Sequence, residues 1–157
     1  MSKIQFDIDI IRDRISKVSD KTRIYLGCDS ETYKQKDGGR YVSYSTVVVI
    51  HIDGSKGCEV YGKVDRERNL DYNASKPILR LMNEVYRVTE LYMQLQDVLE
   101  GKTVQIHLDI NPNEGEGSNI AYNHAVGYVK GMCNIEPIVK PDAFASSKVA
   151  DRWTEIR

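Results

Sequence analysis

Along the chain, apolar positions recur with two different periods. In IQFDIDIIRDRISKV, Ile4, Ile8, Ile11, Ile15 and Val18 return every three or four residues, which predicts a short amphipathic helix over 4–18. The apolar run that includes RIYLGC predicts a strand over 22–28, closed as a turn by Asp29 and Ser30. YKQKDGGR (33–40) is polar and glycine-bearing and reads as a turn. YVSYSTVVVIHI (41–52) is rich in β-branched and aromatic residues and reads as a second strand. After the turn DGSKG (53–57), CEVYGKVDR (58–66) alternates as a third. Short turns between three strands predict an antiparallel meander.

From Lys76 to about Leu99 the period lengthens. Ile78, Leu81, Met82, Val85, Val88, Tyr92, Leu95 and Leu99 mark one face of a long helix, with Ser75 as N-cap, Pro77 in the first turn and Gly101 just past the end. A fourth strand (103–110), a loop (111–118), a helix over 119–130 closed by Gly131, a short strand (135–140) and a terminal helix starting near Asp142 or Ala143 complete the order. A strand, a helical crossover and a further strand run parallel with a right-handed connection, so the fourth strand is expected beside the first. Ligand sites in such sheets gather beyond the carboxyl ends of the parallel strands. Asp29 and Asp109 stand at those two ends and would face each other across the roughly 5 Å between strands.

Two close carboxylates raise each other's pKa unless a cation lies between them. An all-oxygen donor set suits Mg²⁺ or Mn²⁺ rather than zinc. The plainer reading of either aspartate alone is a turn residue. Glu84 adds weight, because Pro77, Leu81, Glu84, Val88, Leu91, Leu95 and Val98 form one line on the helix and Glu84 is its only charge. Such a group is costly in a core unless it is paired, with Arg80 or Arg87 as the nearby partners. His107, Asp109 and Asn111 share a strand face by alternation. With Ser30, His107 and Asn111 are read as groups behind the carboxylates, orienting them or a water. KPDAFASSKVADR offers either Asp142, which also suits an N-cap, or Asp151 as a fourth carboxylate. Lys140, Lys148 and Arg152 can contact a phosphate backbone or stand as ordinary surface charges.

The bulk numbers narrow the class. The chain has 157 residues, 41% hydrophobic and 29% charged, which predicts one globular domain over 1–157 with residues 1–20 as a helix preceding the core. Its net charge of −1 argues against binding nucleic acid through bulk electrostatics but leaves room for a local basic cleft. Three cysteines without a CxxC pair predict neither zinc nor a disulfide framework, and a reducing, cytoplasmic setting. There is no signal-peptide core and no membrane-length apolar run, so no membrane partner is expected. GEGSN lacks the pattern of a phosphate-binding loop. No pattern specifies an oligomeric state.

With these residues in place, IYLGCDS, IHLDINPN, GYVKGM and KPDAFASSKVADR together resemble the YkuK family of predicted ribonuclease H-like proteins, over residues 22–153. The resemblance implies an α/β ribonuclease H-like fold, in which the meander is extended by parallel strands with helices on both faces. It implies a nuclease-type site of Asp29, Glu84, Asp109 and, in the fourth place, Asp151 with Asp142 as the rival. The resulting expectation is an Mg²⁺- or Mn²⁺-dependent enzyme cleaving phosphodiester bonds of RNA, DNA or a hybrid by a two-metal mechanism, with nucleic acid as its partner. A catalytically silent binding or adaptor module on the same fold is the competing expectation, supported by the near-neutral charge and the acidic loop Glu114–Glu116.

Overall fold

The computed structural model describes residues 2–71, 77–113, 119 and 121–155. In chain order the elements are β1 (Ser2–Gln5), α1 (Ile8–Lys17), β2 (Arg23–Lys34), β3 (Arg40–His51), β4 (Cys58–Arg68), α2 (Ile78–Leu99), β5 (Thr103–Leu108) and α3 (Tyr122–Cys133). A π-helical turn, Ala145–Ala150, then leads into a short α4 (Asp151–Glu155). One five-stranded sheet has the order β1-β4-β3-β2-β5. β2, β3 and β4 form the antiparallel meander, and parallel strands flank it: β5 on β2, and β1 on β4.

The first predicted helix needs correction. Residues 2–5 are extended and pair with β4, and the helix starts at Ile8, where the Asp7 side chain accepts from the Asp9 and Ile10 N–H groups. An aspartate N-cap sets a helix start more firmly than one isoleucine at matching spacing. Ile11 and Ile15 keep their predicted inward places.

β2 departs further from expectation. Asp29 and Ser30 do not close it, because β3 pairs with all twelve residues from Arg23↔His51 to Lys34↔Arg40. The turn falls only at Gln35–Gly39, where Gly38 has φ 83° and Asp37 accepts from the Gly39 N–H. What ends at Asp29 is the other partner: β5 pairs with β2 up to Cys28↔Leu108 and then leaves.

Helix α2 fills one face of the sheet with Leu81, Val85, Val88, Leu91, Leu95 and Leu99, packed with α1 and α3 on Ile24, Leu26, Val48, Ile50 and Ile106. The expected Ser75 cap lies outside the described residues. Asp71 instead accepts from the Leu79 and Arg80 N–H groups of the first turn. α3 runs past Gly131 to Cys133 and ends on Asn134, whose left-handed backbone (φ 54°) serves as the C-cap. The short strand after it is a single parallel bridge, His107↔Ile138.

The C-terminal segment covers the opposite face. Ala145, Ala150, Val149 and Trp153 pack on Tyr25, Val47, Val49 and Val60. Two strand glycines admit it. A Cβ on Gly27 would stand 2.7 Å from the backbone of Ala145 and Ser146, and one on Gly62 would stand 2.4 Å from the Trp153 ring. A glycine inside a strand marks such a close approach.

Candidate active site

Where β5 separates from β2, a cleft of about 730 Å³ opens between the strand ends and the C-terminal segment. Asp29, Asp109, Asn111, Lys140, Lys148 and Asp151 line it. Asp29 lies one residue past the last β2–β5 pair and Asp109 one residue past the end of β5. They therefore continue the parallel register side by side. Asp151 enters from the first turn of α4. Asp142 is exposed and is not among the lining residues.

The electrostatics are those of crowded acids. Burial, and next the charge of Asp109, push the Asp29 carboxyl up to about 8; Asp151 and a hydrogen bond with Asp109 add to this, against a lowering contribution from the Ser30 backbone. Glu84, 4% exposed, is also held well above the usual carboxylate range, first by burial and next by Asp29. The lone acid on the apolar stripe of α2 is thus buried, as its position requires. It sits behind β2, on the α2 side of the sheet, where Ser30 Oγ donates to Glu84 Oε1. Arg80 Nη1 lies 3.8 Å from that oxygen and donates to Ser30 Oγ at 2.8 Å. Arg87, the other expected partner, pairs with Asp65 and Glu67 instead.

The cation nearest Asp109 is Lys140, whose Nζ stands 3.1 Å from Asp109 Oδ1. That oxygen is buried and accepts no hydrogen bond. Among the described residues, no three acidic, cysteine or histidine side chains close on one point as a ready metal cage. Three carboxylates share the cleft and the fourth stands behind the strand.

The groups expected behind the carboxylates separate in role. Ser30 does anchor one of them, Glu84. His107 turns to other partners: its Nδ1 accepts from the Ala145 N–H at 3.0 Å, so the ring proton is on Nε2, which donates to Gln105 Oε1 at 3.0 Å. Burial lowers its pKa to about 4, and Phe144 packs edge-on against the ring at 4.7 Å. His107 is a buried neutral pin that ties the π-helical turn to β5. Asn111 lines the cleft and turns the chain, its Oδ1 accepting from the Asn113 N–H. Lys148 lines the cleft and is exposed; Arg152 is exposed and outside the lining. The acidic loop Glu114–Glu116 lies outside the described residues. Burial pushes the Cys28 thiol well above its ordinary range, which removes it as a nucleophile.

Sequence reasoning missed the Lys140–Asp109 pair, since the two residues are distant in sequence and meet only through the bridge between β5 and Ile138. It also missed Gly27, although a glycine inside an apolar strand was a usable signal. No helix among the described residues is long and apolar enough to cross a membrane. No curated protein and no solved structure matches the chain. The Ribonuclease H-like family matches it over residues 7–155, in agreement with the meander, the parallel β5 and the flanking helices, and the chain belongs to that family.

Proposed function

We propose that the protein is a divalent-metal-dependent nuclease that hydrolyses phosphodiester bonds, with Asp29, Asp109, Glu84 and Asp151 as metal ligands. The observation that carries this reading is the Asp29–Asp109 pair. Two carboxyls are held side by side in a cleft, one pushed up to about 8 and the other with a buried oxygen that accepts no hydrogen bond and stands 3.1 Å from the Lys140 ammonium. This donor set is all oxygen and fits Mg²⁺ or Mn²⁺, which favour oxygen ligands. Bound there, such ions supply water activation and stabilisation of a leaving oxygen.

The chain's own groups do the rest. Ser30 and Arg80 hold Glu84 against β2. His107 fixes the turn that delivers Asp151. Lys140 and Lys148 present ammonium groups on the cleft wall for a phosphate oxygen. Asp142, exposed and outside the cleft lining, drops to a lesser candidate for the fourth ligand.

Cleavage of labelled RNA, DNA and hybrid strands in Mn²⁺ tests the proposal. Asp29→Asn should abolish cleavage while the variant keeps the wild-type circular dichroism spectrum. Undiminished cleavage by that variant would defeat the assignment. The silent-adaptor reading draws on the Lys140–Asp109 pair, in which a side-chain cation already answers an acid. No cleavage of any strand, together with no Mn²⁺-induced rise in melting temperature, would favour it.

A further inference from the structure

Five tyrosines lie on the meander strands; Tyr25 is buried under the C-terminal segment, and the structure divides the other four. Tyr44 and Tyr61 are each 2% exposed and belong to the core under α2. Tyr33 and Tyr41 are only half-buried and belong to neither hydrophobic cluster. They are paired directly across β2 and β3, with stacked rings 5.8 Å apart, at the end of the hairpin. Arg68, the β4 partner of Tyr41, holds its guanidinium 5.9 Å from that ring. Beside the rings a groove of about 540 Å³ is lined by Thr32, Tyr33, Lys34, Arg40 and Asn69.

The charge here runs against the chain's net −1. Over residues 31–40 and 66–68, Lys34, Lys36, Arg40, Arg66 and Arg68 give five cations against the three acids Glu31, Asp37 and Glu67. Glu67 pairs with Arg87, and Asp37 accepts from the Gly39 N–H within the turn and from the Tyr41 hydroxyl at 3.4 Å. By strand alternation Tyr33 is on the same face of β2 as Asp29, four residues and therefore about 13 Å away.

We propose that the β2–β3 hairpin end is a docking platform for single-stranded nucleic acid, with unpaired bases on the Tyr33–Tyr41 rings and phosphates against Arg66 and Arg68, which the strand register puts on the same face. Aromatic faces interleaved with cations are what an unpaired strand requires, since bases stack on the rings while the backbone follows the charge. A duplex, whose bases are already stacked and paired, gains nothing from the rings. The inference rests on the nuclease reading only for the direction of the strand, which would run from the platform towards Asp29.

Fluorescence anisotropy with a labelled 12-nucleotide single strand and the matching duplex, in RNA and DNA forms and in chelator, tests it without cleavage. The full-length wild type should prefer the single strand. Tyr33→Ala with Tyr41→Ala should weaken that binding by roughly tenfold or more, at the scale of one lost base stack. Phenylalanine at both positions should restore it. Should the alanine variant fail to fold, Arg66→Gln with Arg68→Gln carries the test, lowering the salt slope by about 1.4 for two lost phosphate contacts. Unchanged affinity in the alanine variant, failure of phenylalanine to rescue, an unchanged salt slope, or preference for the duplex would each overturn the platform. Asp29→Asn should bind single strands at least as well as the wild type. Ring-dependent binding without any cleavage would fell the nuclease reading alone, and cleavage with ring-independent binding would fell the platform alone.

Discussion

Under α1, α2 and α3 the sheet presents Ile24, Leu26, Val48, Ile50 and Ile106 to a thick aliphatic layer, whereas under the C-terminal segment it presents two glycines, Tyr25 and three valines to alanines and one tryptophan. The first face holds the fold through buried area. The second is thin and works by close approach. Gly27 lets the backbone of Ala145 and Ser146 rest on β2, and His107 pins that backbone from β5. This is how Asp151 comes to the cleft that Asp29 and Asp109 already border. Stability and positioning are therefore supplied by opposite faces, and the two should be separable by mutation.

The largest effect is expected on the thick face. Leu95 is fully buried, and Leu95→Ala should cost about 2–5 kcal/mol in denaturant unfolding. Mn²⁺ affinity of the molecules that remain folded should not change. On the thin face, Gly27→Ala drives a Cβ into backbone 2.7 Å away, and overpacking of this kind costs about 1–3 kcal/mol. The smaller loss of stability should come with a marked loss of Mn²⁺ affinity, because the turn that carries Asp151 is displaced. If Leu95→Ala weakens metal binding as much as Gly27→Ala does, the two faces are not separable.

A smaller effect comes from pH. Asp29 has its folded pKa raised from 3.8 to about 8, so in that window the folded protein keeps a proton that the unfolded chain has lost. In chelator, the melting temperature should be highest near pH 4–5 and fall as pH rises through about 8. The slope should be shallower in Asp29→Asn. Equal slopes in the two proteins would mean that Asp29 is not the strained acid.

Much of this arrangement was legible in the chain, and the residues that were not share physical causes. The meander, the long helix and the parallel placement of β5 follow from hydrophobic period and crossover chemistry, and Glu84 declared itself as the one charge on a buried stripe. β1 was hidden because Ile4 falls in helical register with Ile8, while Asp7 decides the boundary. Asp29 looked like a turn because aspartate followed by serine favours one; twelve residues of pairing with β3 override that local preference. Asp29 is therefore a mid-strand acid exposed by the departure of β5. His107 looked like a companion of the carboxylates by alternation, yet the Ala145 N–H that claims it comes from 38 residues away, where no pattern along the strand could point. Lys140 met Asp109 for the same long-range reason.

The most direct test is calorimetric titration of Mn²⁺ into the metal-free protein at pH 7, repeated in buffers of different ionisation enthalpy. An Asp29 carboxyl that titrates near 8 is largely protonated at that pH and must release its proton when a cation arrives. Saturable Mn²⁺ binding is expected with at least one proton released, since Glu84 is raised as well as Asp29, and Asp29→Asn should lose both the binding and the release. No binding at millimolar Mn²⁺, or binding that releases no proton and survives Asp29→Asn, would contradict it.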